Sequence, residues 1–563
     1  MRSWKGQIAA GLVFTGHAAA SVLWSPQTAE MTARLTQAEF LPGLGYSIAI
    51  EAPPGGYVLE FSENLGPPPW QNLTTLHPAA GQAAYLDATA VSRGRGFYRV
   101  GGSFTSGGYH SITPGFAVES GFGSSTNGGT RGDLLCGLSA ADLQLEHQGE
   151  VSGLMRFQNT EFVESYLAPQ IDDLSAFRGT GANAVFPLSF TAGGWQSVVP
   201  AGPYPLPYGQ AFVAATTFPF QEMESDRLSL TAIGLRTYQG AVAPESDEPQ
   251  PFAGNKLELP FLIRKSTDAE AEDITGGWGM IHLSVLGELT EQGGELPPTL
   301  PGHIHYAVSA AVAEITANSN TEAALSISRE STFQVRQSFN PSSAVDIVSA
   351  ESTEARSFEM ELDSTGAVSL RDIQESDPAI LLGAISPSTG LLVAAGSTPP
   401  RGSEAGYFEP DNVFIDPGAS AGTAVAVAVR RETSPQLANR SYRAIRVGFY
   451  ITPGGFEISR WMPGAQVTIN ADATVATVSA TQQFYAATFD GSTQSENLNP
   501  GGIHELAVAP DGMISLAADP PNSPESRYVG FAQLGADLII LGGTRSELNG
   551  SAEVSLMILM AGP

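Results

Sequence analysis

Three strings in this 563-residue chain hold residue types that chemistry needs. Gly418-Ala419-Ser420-Ala421-Gly422 spells GxSxG. A nucleophile elbow sets such a serine between a strand and a helix, so that backbone strain presents its hydroxyl. Here Asp416-Pro417 precedes the serine in a loop and the strand-like TAVAVAVRR follows, so a small-residue turn entering a strand is expected instead. His303 and His305 form HIH, and residues two apart on a strand face the same way. Both rings would face one metal ion, with His282 of the preceding strand-like segment as the third ligand. Two histidines on a β face need no metal, however, and the related parts of the chain have no HxH. Cys136, in DLLCGL, is the only cysteine, which excludes intrachain disulfides and a CxxC zinc site. In an apolar run it reads as a buried structural thiol. No catalytic, cofactor-binding or metal-ligating residue is assigned, and no cofactor is expected.

The acidic residues give no sharper signal. Glycoside hydrolysis needs two carboxylates at a fixed separation, and 57 Asp and Glu leave no basis for choosing a pair. Glu359 and Glu505 sit at equivalent points of a repeat described below, whereas Asp363 falls on Ala509. The calcium-loop string D-x-[DN]-x-[DN]-G does not occur, and Asp511-Gly512 and Thr365-Gly366 read as hairpin turns. Gly123 to Asp133 is glycine-rich but is not flanked by a strand and a helix, so nucleotide binding has no support. Trp195, Trp278 and Trp461 are spaced one per large repeat. Exposed on a sheet they would stack on sugars; filling cores is the expected role.

The elements that would position these residues read as strands. Hydrophobic residues make up 42% and charged residues 15%, with 62 Gly and 39 Pro. That composition suits many short strands joined by tight turns. A net charge of −30 without a basic run opposes binding to nucleic acid. Residues 1–24 have the grammar of a secretory signal peptide: Arg2 and Lys5, an apolar Ile8 to Phe14, then Ala18-Ala19-Ala20. Residues 25–45 read as a linker with a short helix, capped by Ser25-Pro26 and with Met31 and Leu35 on one face. No later segment has the 18 or so apolar residues that span a bilayer as a helix.

Residues 46–101 form a small β module with strand-length strings YSIAIEA, GYVLEFSENL, WQNLTTL, AAYLDATA and GFYRVGG. Tyr57, Leu59 and Phe61 alternate with Val58, Glu60 and Ser62. The pattern YxLExSxxLxxxxW…L…YLDxxA…FYRV resembles a short β domain recurrent in large exported bacterial proteins. The resemblance implies export and a modular surface protein, and no chemistry.

The rest of the chain repeats itself. SFEMELDSTGAVSL (Ser357 to Leu370) matches IHELAVAPDGMISL (Ile503 to Leu516) without a gap, placing Met360 on Leu506 and Gly366 on Gly512. LLGAISPSTGLLVAAG (Leu381 to Gly396) matches YVGFAQLGADLIILGG (Tyr528 to Gly543), and TAVAVAVRR and AEVSLMILM each close a unit. A fainter copy runs from VFPLSFTAGGWQSV to KLELPFLIRKSTD. Self-similarity at this spacing points to one duplicated unit. The fold expected is all-β: three tandem antiparallel units of about eight strands each, at 102–265, 266–431 and 432–563, behind the small module. Barrels hide sheet edges fully and sandwiches partly, so barrels are preferred. The stretch Asp268 to Asp273 and the segment ETSPQLANR read as linkers. The expected function is an exported, non-catalytic structural, adhesive or surface-interaction protein. It would be secreted or at the cell surface and meet an extracellular polymer or another surface protein. The alternatives are a carbohydrate-binding or carbohydrate-degrading protein, and a carrier of a small apolar ligand in a β-barrel.

Overall fold

The computed structural model describes residues 12–15, 21–22 and 34–561 apart from short segments between strands, the longest being 121–131, 290–301 and 399–412. The described chain is all-β, with antiparallel pairing in every strand pair of known register. None of its helices is long and apolar enough to cross a membrane. It divides into two compact parts. One comprises Met1–Gly108, Leu143–Arg156 and Val185–Ser197, and the other Tyr109–Asp142, Phe157–Ala184 and Val198–Pro563.

In the first part, strands Tyr57–Ser62, Gln71–Leu76 and Arg95–Gly101 share one sheet, and Arg34–Leu41, Gly45–Glu51 and Gln82–Asp87 another. Leu35, Ile48, Ile50, Leu59, Phe61 and Tyr98 form their core. The alternation read in GYVLEFS is present, with Leu59 and Phe61 buried. Of the linker with a short helix expected over 25–45, the described part from 34 is strand. Residues 34–41 are a strand whose Leu35 lies opposite Ile50, and burying that pair outweighs a local helical preference; Ser25, Pro26 and Met31 lie outside the described residues. Within residues 1–24, Leu12–Thr15 is a strand paired with Arg95 to Tyr98.

Two closed eight-stranded barrels dominate the second part. The sheet of the middle barrel has eight strands in the ring and one, β4, beside it: β1 (Gly276–Leu289), β2 (Gly302–Ala317), β3 (Glu322–Ser338), β4 (Asp346–Ser352), β5 (Arg356–Leu362), β6 (Ala367–Asp372), β7 (Ile380–Ser386), β8 (Leu391–Thr398) and β9 (Ser420–Arg430). Chain neighbours pair in sequence and β9 returns to β1, which closes the ring. β4 lies outside the ring, on the upper half of β3. Full closure leaves no open edge in the ring itself.

The C-terminal barrel has β10 (Ser441–Thr452), β11 (Gly455–Trp461), β12 (Gln466–Ile469), β13 (Val475–Ser479), β14 (Gln482–Thr488), β15 (Thr493–Leu498), β16 (Gly502–Val508), β17 (Met513–Ala518), β18 (Glu525–Ala532), β19 (Leu538–Ser546) and β20 (Ala552–Ala561). It closes through β20 on β10 and β12 on β10. β11 with β12 stands where β2 runs unbroken, and β13 with β14 stands where β3 does.

The registers agree row by row. Ile281, Val427, Val393, Ala384 and Ala367 lie side by side across five strands of the middle barrel. Ile445, Ile558, Ile540, Phe531 and Met513 do so in the C-terminal one. Gly366 and Gly512 occupy the same turn, at φ +88° and +82°. Each donates its N–H three residues back, to Asp363 O at 3.0 Å and Ala509 O at 2.9 Å. A side chain at either position would be strained in this left-handed region.

Two expectations need correction. The segments read as linkers are stoppers. Ala269, Ala271 and Ile274 pack into the middle barrel's lumen beside Trp278, whose Nε1 donates to Ile274 O at 3.0 Å. Leu437 does the same for the C-terminal barrel. Nor does each unit keep its core to itself. The outward faces of β1, β2 and β9 meet those of β10, β18, β19 and β20 in one apolar cluster. Phe116 and Phe261 of the preceding strands join it, and Phe116 meets Phe449 edge-on at 4.3 Å between centroids. This explains the unbroken apolar runs of β9 and β20. Their side chains are buried on both faces, in the lumen on one side and the shared core on the other.

Candidate functional site

The lumens of the two barrels are apolar at the stoppered end and polar at the other, and the polar halves differ. In the middle barrel the lumen-facing row Ser309, His282, Ala426, Ala394 crosses β2, β1, β9 and β8. The matching row of the C-terminal barrel is Trp461, Arg446, Met557, Leu541. Bulky groups in one lumen thus stand where small ones line the other.

Those bulky groups form a tight cluster. Arg446 and Glu553 make a buried ion pair at 2.8 Å, and Ser459 Oγ donates to Glu553 Oε1 at 3.1 Å. The Arg446 guanidinium lies 5.7 Å from the Trp461 ring and 5.9 Å from that of Tyr528. Burial opposes its charge, but Glu553 beside it more than compensates, so its pKa is raised. No room is left: a Cβ on Gly448 would come within 2.4 Å of Glu553 Oε1.

The middle barrel is less full. On β1 the outward Ile281, Leu283 and Val285 are buried, while the inward His282, Ser284 and Leu286 remain partly exposed. Ala307 and Ala424, the neighbours of Ser284 on either side, are partly exposed too. The lumen side of these strands is thus less closely packed than the outer wall. Its polar groups are linked: Ser309 Oγ donates to Glu330 Oε1 at 2.7 Å, and Arg356 Nη1 lies 3.9 Å from Glu330 Oε2. Arg356 also sits over the Phe358 ring, 5.5 Å from its centroid. Burial lowers the pKa of His282; Glu330 pulls it up and Arg356 down. The shift favours the neutral ring, a form with one nitrogen able to donate and one able to accept.

The residues singled out in the sequence are placed as follows. His303 and His305 do share a face, with ring centroids 6.3 Å apart, and His305 Nδ1 bonds Gln334 Nε2 at 2.8 Å. His282, however, lies opposite Ser309, four residues along β2 from His305. That is about 13 Å of strand, too far for one metal ion. Among the described residues no group of three or more His, Cys, Asp or Glu is placed to hold a metal. Ser420 and Ala421 open β9, with no helix after them; Gly418 and Ala419 are outside the described residues. Cys136 is buried, its Sγ 3.9 Å from Ser165 O. Glu359 and Glu505 point outward and are exposed. Trp278 and Trp461 are buried within the two lumens; Trp195 is on strand Gly194–Val199, its side chain outside the described ones. Glu330, Arg356 and Ser309 carried no motif. Their signal was only a break in apolar alternation on strands that otherwise line a core.

No family model matches the chain, and no curated protein does. Among solved structures, a TodX deltaS2S3 mutant monoaromatic hydrocarbon channel aligns with 7% identity over 81% of this chain and 90% of that one, at a TM-score of 0.11. The alcaligin outer membrane receptor FauA from Bordetella pertussis aligns with 10% identity over 96% of both chains, at 0.10. Scores of this size describe no shared fold.

Proposed function

We propose that this chain is an exported, non-catalytic surface-interaction protein in which fused β-barrels act as a rigid scaffold. The observation that carries this reading is the shared apolar core. It joins Ile281, Leu283 and Val285 of one barrel with Phe531, Ile540 and Ile558 of the next in a single cluster, and Tyr306 meets Phe449 with ring centroids 5.8 Å apart. Such packing suits a protein that holds a shape under load and presents its polar outer strands to a partner. The exposed Glu359 and Glu361 of β5, and Glu505 of β16, give those outer faces an acidic character. The leader-like residues 1–24 and the module at 46–101 supply the case for export.

The test fuses residues 1–45 to a reporter that is active only outside the bacterial cytoplasm. The full-length protein is then sequenced from its N-terminus after secretion. Reporter activity, and a mature protein that starts just after Ala18 to Ala20, are expected. A reporter silent in export-competent cells, with Met1 retained, would reject export.

A further inference from the structure

We propose that the polar half of the middle barrel's lumen binds a small neutral polyhydroxylated molecule of about monosaccharide size. This goes beyond the scaffold role and does not depend on it.

Two barrels of one register provide an internal control. Where the C-terminal lumen carries Trp461, Arg446, Met557 and Leu541, the middle one carries Ser309, His282, Ala426 and Ala394. The row above is small in both barrels: Ala307, Ser284, Ala424 and Gly396 in the middle one, and Ser459, Gly448, Ser555 and Gly543 in the C-terminal one. In the first of these rows the middle barrel carries the smaller side chains, whereas Arg446, Trp461, Tyr528 and Glu553 crowd together in the C-terminal lumen, so this half of the middle lumen is less tightly filled. His282, Ser284, Ala307 and Ala424 are each partly exposed, so a water-sized molecule fits beside them.

The lining selects the ligand's chemistry. Glu330 accepts, Arg356 donates, and Ser284, Ser309 and neutral His282 do both. Adjacent hydroxyls on a ligand do both as well. Glu330 and Arg356 are 3.9 Å apart and offset each other, so a charged ligand would bring an uncompensated charge into a half-buried lumen. The methyls of Ala307, Ala424 and Ala426 supply apolar wall for a C–H face. The polar lining likewise disfavours the apolar ligand expected of a β-barrel carrier.

The experiment is saturation-transfer difference NMR on the full-length protein. D-glucose and mannitol are the neutral probes, and succinate and lysine the charged ones. Saturable transfer to at least one neutral probe is expected, and none to the charged pair. Ala426→Met puts the C-terminal barrel's own side chain into the middle lumen and should abolish transfer while the melting temperature stays within a few degrees. Glu330→Gln should weaken binding about tenfold, the loss of one charge-assisted hydrogen bond. If Ala426→Met unfolds the protein, Ser284→Val is the second blocking variant. Transfer to neither neutral probe, transfer to charged probes alone, or unchanged transfer in a folded blocking variant each overturns the proposal.

Discussion

Arg446 and Glu553 are both taken almost wholly out of water, on neighbouring strands of the C-terminal lumen. Their mutual attraction must offset two desolvation penalties, and Ser459, Trp461 and Tyr528 help it do so. Removing one partner leaves a buried charge alone. Arg446→Met or Glu553→Leu is therefore expected to cost about 3–5 kcal/mol, and the double variant far less than the sum. Urea unfolding of the four proteins closes that cycle; additive losses would show that the two side chains act independently. The histidines make a second prediction at this scale. Burial lowers the pKa of His282 and His504 below the ordinary value. Above a pH of about 6.5 both folded and unfolded chains hold these rings neutral. Below it the unfolded chain takes up protons that the folded one refuses, so stability is lost as pH falls. The melting temperature should drop from pH 7 towards 5, and His504→Gln should flatten that slope. A slope identical in the variant would remove His504 as its source.

Elements show what the sequence could and could not carry. The hairpin at Ser357 to Leu370 and its partner at Ile503 to Leu516 were legible, because turn glycines and alternating strands leave marks at fixed offsets. Gly383 and Gly530 extend that match: a Cβ on either would strike a backbone oxygen of the next strand, Val393 O at 2.3 Å and Ile540 O at 1.8 Å. The first halves of the units were harder to align. β2 and β3 run unbroken in one barrel, whereas Met462–Ala465 and Ala480–Thr481 interrupt their counterparts in the other. The stoppers left no mark either, since a single buried Leu437 inside ETSPQLANR has no periodicity. Lumen polarity was illegible for a related reason. Inward and outward residues alternate equally whether the inside is wet or dry, and only the neighbouring barrel decides which face is drier. Leu437→Ala should cost about 2–5 kcal/mol by opening the stoppered end. Urea unfolding measures it, and a loss below about 0.5 kcal/mol would mean that the segment only covers the barrel.

At the scale of the whole second part, the two barrels bury apolar surfaces against each other in one cluster. Ile281, Leu283, Val285, Ile304, Tyr306 and Val308 are all at most 3% exposed, and all lie on outward faces of β1 and β2. Deleting the C-terminal barrel would put that patch in water. At about 25 cal/mol per Å² the change is large against the few kcal/mol by which domains are stable. A chain ending at Arg431 should therefore aggregate, or bind a hydrophobic dye strongly, although its middle barrel still has a closed ring and its own lumen core. The full chain should unfold in one calorimetric transition across 276–561, because neither barrel can open without exposing its neighbour. Two well-separated transitions, together with a soluble, dye-silent fragment ending at Arg431, would mean that the apolar cluster between the barrels contributes little. The rigidity on which the scaffold role depends would then have to come from the junctions alone. There Arg431 Nη1 donates to Asp511 O, and Glu432 N to Ala532 O at 2.9 Å. A few exposed or half-exposed hydrogen bonds of this kind are worth roughly 0.5–1.5 kcal/mol each and would act as hinges.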